Sequence, residues 1–141
     1  MDPQQRGLLE TTYRAFENGR FTACFVPNDP AYRDTAGVSL EKAAGSRTSV
    51  HIGSFTHDWN YILTRDPLMD VKYKATGVEF SLLANRLSWF YDLVGPSISL
   101  DTACSSSLMA LHLACQSLRT HESNMVSIMQ FRCIYRIANI M

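Results

Sequence analysis

The hydrophobic pattern changes period several times along the chain. Leu8, Leu9, Tyr13 and Phe16 recur at helical spacing. They follow Asp2-Pro3, an N-cap oxygen and then a residue whose missing N–H costs nothing in a first turn. Gly19 can close that helix in the left-handed conformation. Thr48-Ser49-Val50-His51-Ile52-Gly53 alternates polar and apolar, the period of a short, half-buried strand. Residues 57–64 have room for a helical turn or two before Asp66-Pro67 interrupts them. Residues 78–93 predict a stronger helix, with Leu82, Leu83, Leu87 and Phe90 along one face. After the Gly95-Pro96 breaker, Ser97-Ile98-Ser99-Leu100 alternates as a strand. From Cys104 to about Arg119, Leu108, Leu111, Cys115 and Leu118 step by threes and fours and predict an amphipathic helix. Residues 125–131 predict a further strand. The order helix, strand, helix, strand, helix, strand points to an α/β layered arrangement, with no internal repeat.

Composition narrows the functional classes. The chain has 141 residues, 46% hydrophobic and 18% charged, with 13 Lys+Arg against 13 Asp+Glu. A domain of this length buries roughly 68–70% of its unfolded surface. The zero formal charge offers no general attraction for phosphate backbones, so no nucleic-acid partner of the basic-patch kind is expected. The 11% aromatic content and the few Gly and Pro exclude disorder along the whole length. No apolar run approaches the ~18 residues of a membrane span, and the polar start lacks a secretory signal. Cys24, Cys104, Cys115 and Cys133 stand without a CxxC pair and read as thiols of a soluble, cytoplasmic protein.

The chemistry-bearing stretch is Asp101-Thr102-Ala103-Cys104-Ser105-Ser106-Ser107. It lies where a predicted strand passes into a predicted helix, with Cys104 at the first helical turn. Unpaired N–H groups and the helix dipole there favour a thiolate. The same N–H groups can hold the oxyanion formed when that sulfur attacks a thioester carbonyl. The small residues around it leave room for a substrate arm. Against this stands a plain reading of Cys104 as a small apolar filler. Cys115 falls on the apolar face and reads as core, and Cys24 and Cys133 have no nearby acid–base partner. His112 is about 12 Å further along the helix axis and cannot serve as base for Cys104. His51 and His57 have no third ligand at a metal-binding spacing, and His121 reads as solvated. Paired acids for glycoside chemistry and phosphate-cradling glycine loops are absent from the sequence.

Asp101-Thr102-Ala103-Cys104-Ser105-Ser106-Ser107 resembles the active-site signature of β-ketoacyl synthases, in particular the ketosynthase domain of fungal-type highly reducing polyketide synthases. Met1-Asp2-Pro3-Gln4-Gln5-Arg6 resembles another box of that family. So do Gly45-Ser46-Arg47-Thr48-Ser49-Val50 with Ile52-Gly53, Asn85-Arg86-Leu87-Ser88, Asp92-Leu93 with Gly95-Pro96-Ser97, and residues 111–119. The resemblance covers about residues 1–18 and 36–128. It implies a thiolase-like layered α/β fold, incomplete and limited to the amino-terminal half. It also implies a homodimer and decarboxylative Claisen condensation on carrier-protein-bound acyl groups. Cys104 matches the nucleophile that accepts the acyl chain, its backbone N–H supplying one oxyanion donor. The substrate would arrive on a phosphopantetheine arm, with acyl carrier protein and acyltransferase domains as partners. No directly bound cofactor, metal or membrane is implied.

The departures from the family pattern carry expectations of their own. Family members have a strand and helix before the first box, so Met1 reads as an internal methionine. Residues 19–35 read as a non-family insert, and residues 129–141 as a non-family tail on a partial domain spanning 1–128. Both anomalous segments read as translated non-coding sequence or a damaged gene model. The family's two catalytic histidines and its lysine lie further downstream, so the chain is expected to self-acylate at most. With its sheet edges and apolar faces uncovered it is expected to be poorly soluble in isolation. Two other readings compete: a catalytically silent dimerisation or interaction fragment, and a cysteine hydrolase using His57 as base.

Overall fold

In the computed structural model the described residues are 1–18, 39–65 and 72–130, the last two for backbone only. The expected insert at 19–35, Gly19, Cys24, Cys133 and the tail from residue 131 lie outside them. Asp2 begins α1 (Pro3–Asn18) by accepting the Gln4 N–H on its carboxylate at 2.7 Å. A short α2 (Leu40–Ala43) precedes β1 (Thr48–Gly53). Helices α3 (Asp58–Thr64), α4 (Lys74–Val78) and α5 (Leu82–Phe90) lead to β2 (Ser97–Leu100). A 3-10 turn, Ala103–Ser105, opens into α6 (Ser106–Arg119), and β3 (Met125–Gln130) follows.

The strands form one parallel sheet in the order β2-β1-β3. β1 lies in the middle, with Val50 opposite Ser97 on one side and Ser127 on the other. The alternating sequence of β1 predicts a half-buried strand, yet all six of its residues are buried. A central parallel strand has helices over both faces, so its polar positions are covered as well. On one face Val50 and Ile52 pack with Leu8 and Phe16 of α1, Ala43, and Leu83, Ala84 and Leu87 of α5. Tyr91 seals this layer: its ring meets Phe16 edge-on at 5.3 Å, and its hydroxyl donates to the Leu9 carbonyl at 2.8 Å.

Two helix expectations need correction. The helix expected over 78–93 is shortened to α5, Leu82–Phe90; Val78 ends α4, and residues 79–81 break the two apart. Phe90, placed by spacing on the buried face, is 60% exposed at the end of α5. The helix after Cys104 turns the opposite face to the sheet from the one its large residues predict. Ser106, Ala110, Ala114 and Ser117 are buried, whereas Leu108 is 68% exposed and Leu111 also faces outward. Cys115 and Leu118 are half-buried. The small face lets the α6 backbone come close to β1. A Cβ on Gly53 would fall 2.7 Å from the Ser106 carbonyl carbon and oxygen, so glycine there is required by space. Among the described residues no helix is long and apolar enough to cross a membrane.

Candidate active site

Cys104 is exposed at the carboxyl end of the sheet, in the turn joining β2 to α6. The residue before it, Ala103, has φ +53°, a left-handed conformation that costs an L residue roughly 1–2 kcal/mol. Hydrogen bonds from both sides hold the turn there. Ala103 N–H donates to Asp101 Oδ1 at 3.0 Å, closing a tight Asx turn. The hydroxyl of Ser106 accepts the Thr102 N–H at 2.8 Å and donates to the Ala103 carbonyl at 2.7 Å. The hydroxyl of Ser105 donates to the Thr102 carbonyl at 2.7 Å. The hydroxyl-rich run after the cysteine is therefore structural in its first two members.

The backbone donors divide in a useful way. Ser105 N–H reaches the Thr102 carbonyl and Ser106 N–H the Ala103 carbonyl. Among the described residues no acceptor takes the Cys104 N–H. An open groove of about 350 Å³ is lined by Thr102, Ser105, Leu108, Met109 and His112. Thr102 and Ser105 bracket Cys104 in the chain, though Cys104 itself is not among the lining residues.

The histidines take different places. His112 lines that groove, further along α6. His121 is exposed after α6, with φ +57°. His51, 2% exposed in the middle of β1, has neither ring nitrogen hydrogen-bonded among the described residues. Burial pushes its pKa below the usual value, with Glu122 acting weakly in the other direction. His57 turns Nε2 toward Asp101 Oδ2, 4.0 Å away. Sequence spacing could not show this contact, because it joins the loop after β1 to the loop after β2. Among the described residues no group of three or more His, Cys, Asp or Glu could hold a metal ion.

A side chain raised on a tight strand–turn–helix bend above a parallel sheet is also how α/β-hydrolases present a nucleophile. Residues 1–127 match the model of the β-ketoacyl synthase N-terminal domain, and the chain belongs to that family of condensing enzymes. It is 51% identical over 124 residues to a highly reducing polyketide synthase of Didymella fabae, a match covering 88% of this chain and 6% of that protein. It is 46% identical over 141 residues to the 6-hydroxymellein synthase cdmE of Talaromyces verruculosus, covering 100% of this chain and 5% of the relative. The fold matches the ketosynthase from module 6 of the bacillaene synthase of Bacillus subtilis 168, with TM-score 0.65 and 29% identity over 89% of this chain and 18% of that one. The layered α/β architecture is thus part of the thiolase-like ketosynthase fold, and the chain spans a small fraction of the length of its relatives.

Proposed function

We propose that this chain is the part of a polyketide-synthase ketosynthase that carries the acyl-accepting nucleophile, Cys104. The observation that carries the proposal is the exposed thiol in a turn clamped by Asp101, Ser105 and Ser106, beside an N–H left without an acceptor among the described residues. The thiolate attacks the carbonyl carbon of an acyl thioester on a phosphopantetheine arm. The carbonyl oxygen becomes an oxyanion facing the Cys104 N–H. Collapse breaks the carbon–sulfur bond of the incoming thioester. The pantetheine thiolate leaves and takes up a proton, and the acyl group remains on Cys104 as a new thioester.

In the full synthase this acyl-enzyme is the electrophile for decarboxylative Claisen condensation. The two histidines and the lysine that the family uses for malonyl decarboxylation and enolate stabilisation are not among these 141 residues. The chain by itself therefore self-acylates without forming a carbon–carbon bond. The site lies within the partial domain of residues 1–128. The acyl group is delivered by a carrier protein charged by an acyltransferase domain, in the cytoplasm, and the full domain works as a homodimer.

Intact-mass spectrometry of the chain after incubation with hexanoyl-pantetheine tests the reading. One acyl adduct is expected, mapped to the Cys104 peptide and missing in Cys104→Ala. No adduct on Cys104 would overturn it. A second reading, a silent interaction fragment, is favoured by the exposed Trp89, Phe90 and Val94 beside the edge strand β2. It predicts association without acylation in the same experiment.

A further inference from the structure

His57 closes the loop of residues 54–57 that leaves β1, directly before α3. The loop is pinned from α1. Gln4 Nε2 donates to the Thr56 carbonyl at 3.1 Å and to Thr56 Oγ1 at 3.0 Å, and the Ser54 hydroxyl donates to Gln4 Oε1 at 3.0 Å. From the α4–α5 junction the Phe80 ring meets the imidazole edge-on, with centroids 5.1 Å apart. On the remaining side Nε2 stands 4.0 Å from Asp101 Oδ2. The other oxygen of that carboxylate accepts the Ala103 N–H, in the left-handed residue before Cys104. One carboxylate therefore joins the imidazole to the nucleophile turn.

We propose that His57 is a positioning residue for Cys104, acting through Asp101. The proposal rests on Cys104 being the acyl acceptor. With the ring charged, the Asp101 carboxylate is paired, and its Oδ1 stays on the Ala103 N–H. With the ring neutral, an uncompensated negative charge stands at the turn of a sulfur that reacts only as an anion. His57 transfers no proton to or from substrate; its effect is on the charge and rigidity of the turn. The other charged groups around the ring are Asp58 at the start of α3 and Asp2 at the start of α1. Burial pushes the Asp2 carboxyl's pKa up, while the Gln4 N–H and His57 act in the other direction. Neither Asp2 nor Asp58 forms the bridge to Ala103 that Asp101 does.

The test is the rate of Cys104 modification by iodoacetamide on the full chain near pH 6, followed by peptide mass mapping. His57→Gln should slow Cys104 about threefold, the scale of a half-exposed ion pair. His57→Arg, which keeps a positive charge, should restore the parent rate. In an Asp101→Asn background the His57→Gln effect should vanish. Equal rates for parent and His57→Gln would overturn the proposal. So would slowing that His57→Arg does not reverse, which a purely structural contact with Phe80 would produce, or an effect that persists without the Asp101 charge. Failure of Cys104 to take an acyl group from hexanoyl-pantetheine would instead remove the acyl-acceptor reading, whatever the alkylation rates show.

Discussion

On one face of the central strand, Val50 and Ile52 meet Leu8, Phe16, Leu83 and Leu87. On the other, Ser49, His51 and Gly53 lie under the Ser106, Ala110, Ala114 and Ser117 face of α6. The first face is built from bulk, and removal of large apolar side chains from water stabilises it. The second is built from closeness. Its contacts are backbone approach at Gly53 and a chain of hydroxyls in which Ser49 donates to Ser123 at 3.1 Å and Ser123 pairs with Ser117 at 2.8 Å. The contrast teaches a division of labour. The α1–α5 layer anchors the sheet, and the α6 layer holds one helix start against the end of β1, where the Cys104 turn is made. Leu108, Met109 and Leu111 of α6 are exposed on the side away from the sheet.

The strongest test of the contrast is Leu87→Ala, which opens a cavity in the bulky layer and should cost about 3 kcal/mol in urea denaturation. A loss under about 1 kcal/mol would mean that layer is not the anchor. Next comes Gly53→Ala, whose added carbon meets the Ser106 backbone and must push α6 off the strand. It should cost about 2 kcal/mol and also lower Cys104 acylation, because the helix start and the turn move together. Unchanged acylation would separate the turn from the close approach.

A smaller effect is expected from pH. His51 has its pKa lowered by burial, so the unfolded chain binds the proton more readily than the folded one. Its contribution to stability is complete above the unfolded value, about pH 6.5, and is lost as pH falls below it. Thermal denaturation between about pH 7 and pH 5 should show this decline, and His51→Gln should flatten it. The smallest change is expected for Leu108→Ser on the outer face of α6, within about 0.5 kcal/mol by the same urea measurement. A larger loss would show that the outer face is already packed in the isolated chain.

The element pattern was legible where local signals agree. The β1 and β2 limits follow from alternation and from the Gly95-Pro96 breaker. Helix α1 follows from its cap and spacing, because Asp2 needs only its own neighbours to act. The place of Cys104 between a strand and a helix was legible from the alternation of β2 and the spacing after Cys104, whereas the hydroxyl clamp of Ser105 and Ser106 was not. Less was legible where burial depends on distant chain. Spacing puts Leu108, Leu111 and Leu118 on one face of α6 but cannot say whether that face meets this sheet. The division of α4 from α5 and the exposure of Phe90 belong to the same class of miss. So does the His57–Asp101 pair, whose members are near in space and far apart in sequence.

Local order along the chain was enough to determine the α/β alternation and the limits of α1, β1 and β2. Those properties arise from backbone sterics, capping and short-range hydrogen bonds, all of which act over a few residues. Tertiary structure alone decided that β1 is buried on both faces, that the small side of α6 faces the sheet, and that Asp101 is shared between His57 and the Cys104 turn. Each of these depends on parallel strands brought together across long loops. Closure of those loops sets which groups share a space, and spacing along the chain carries no record of it.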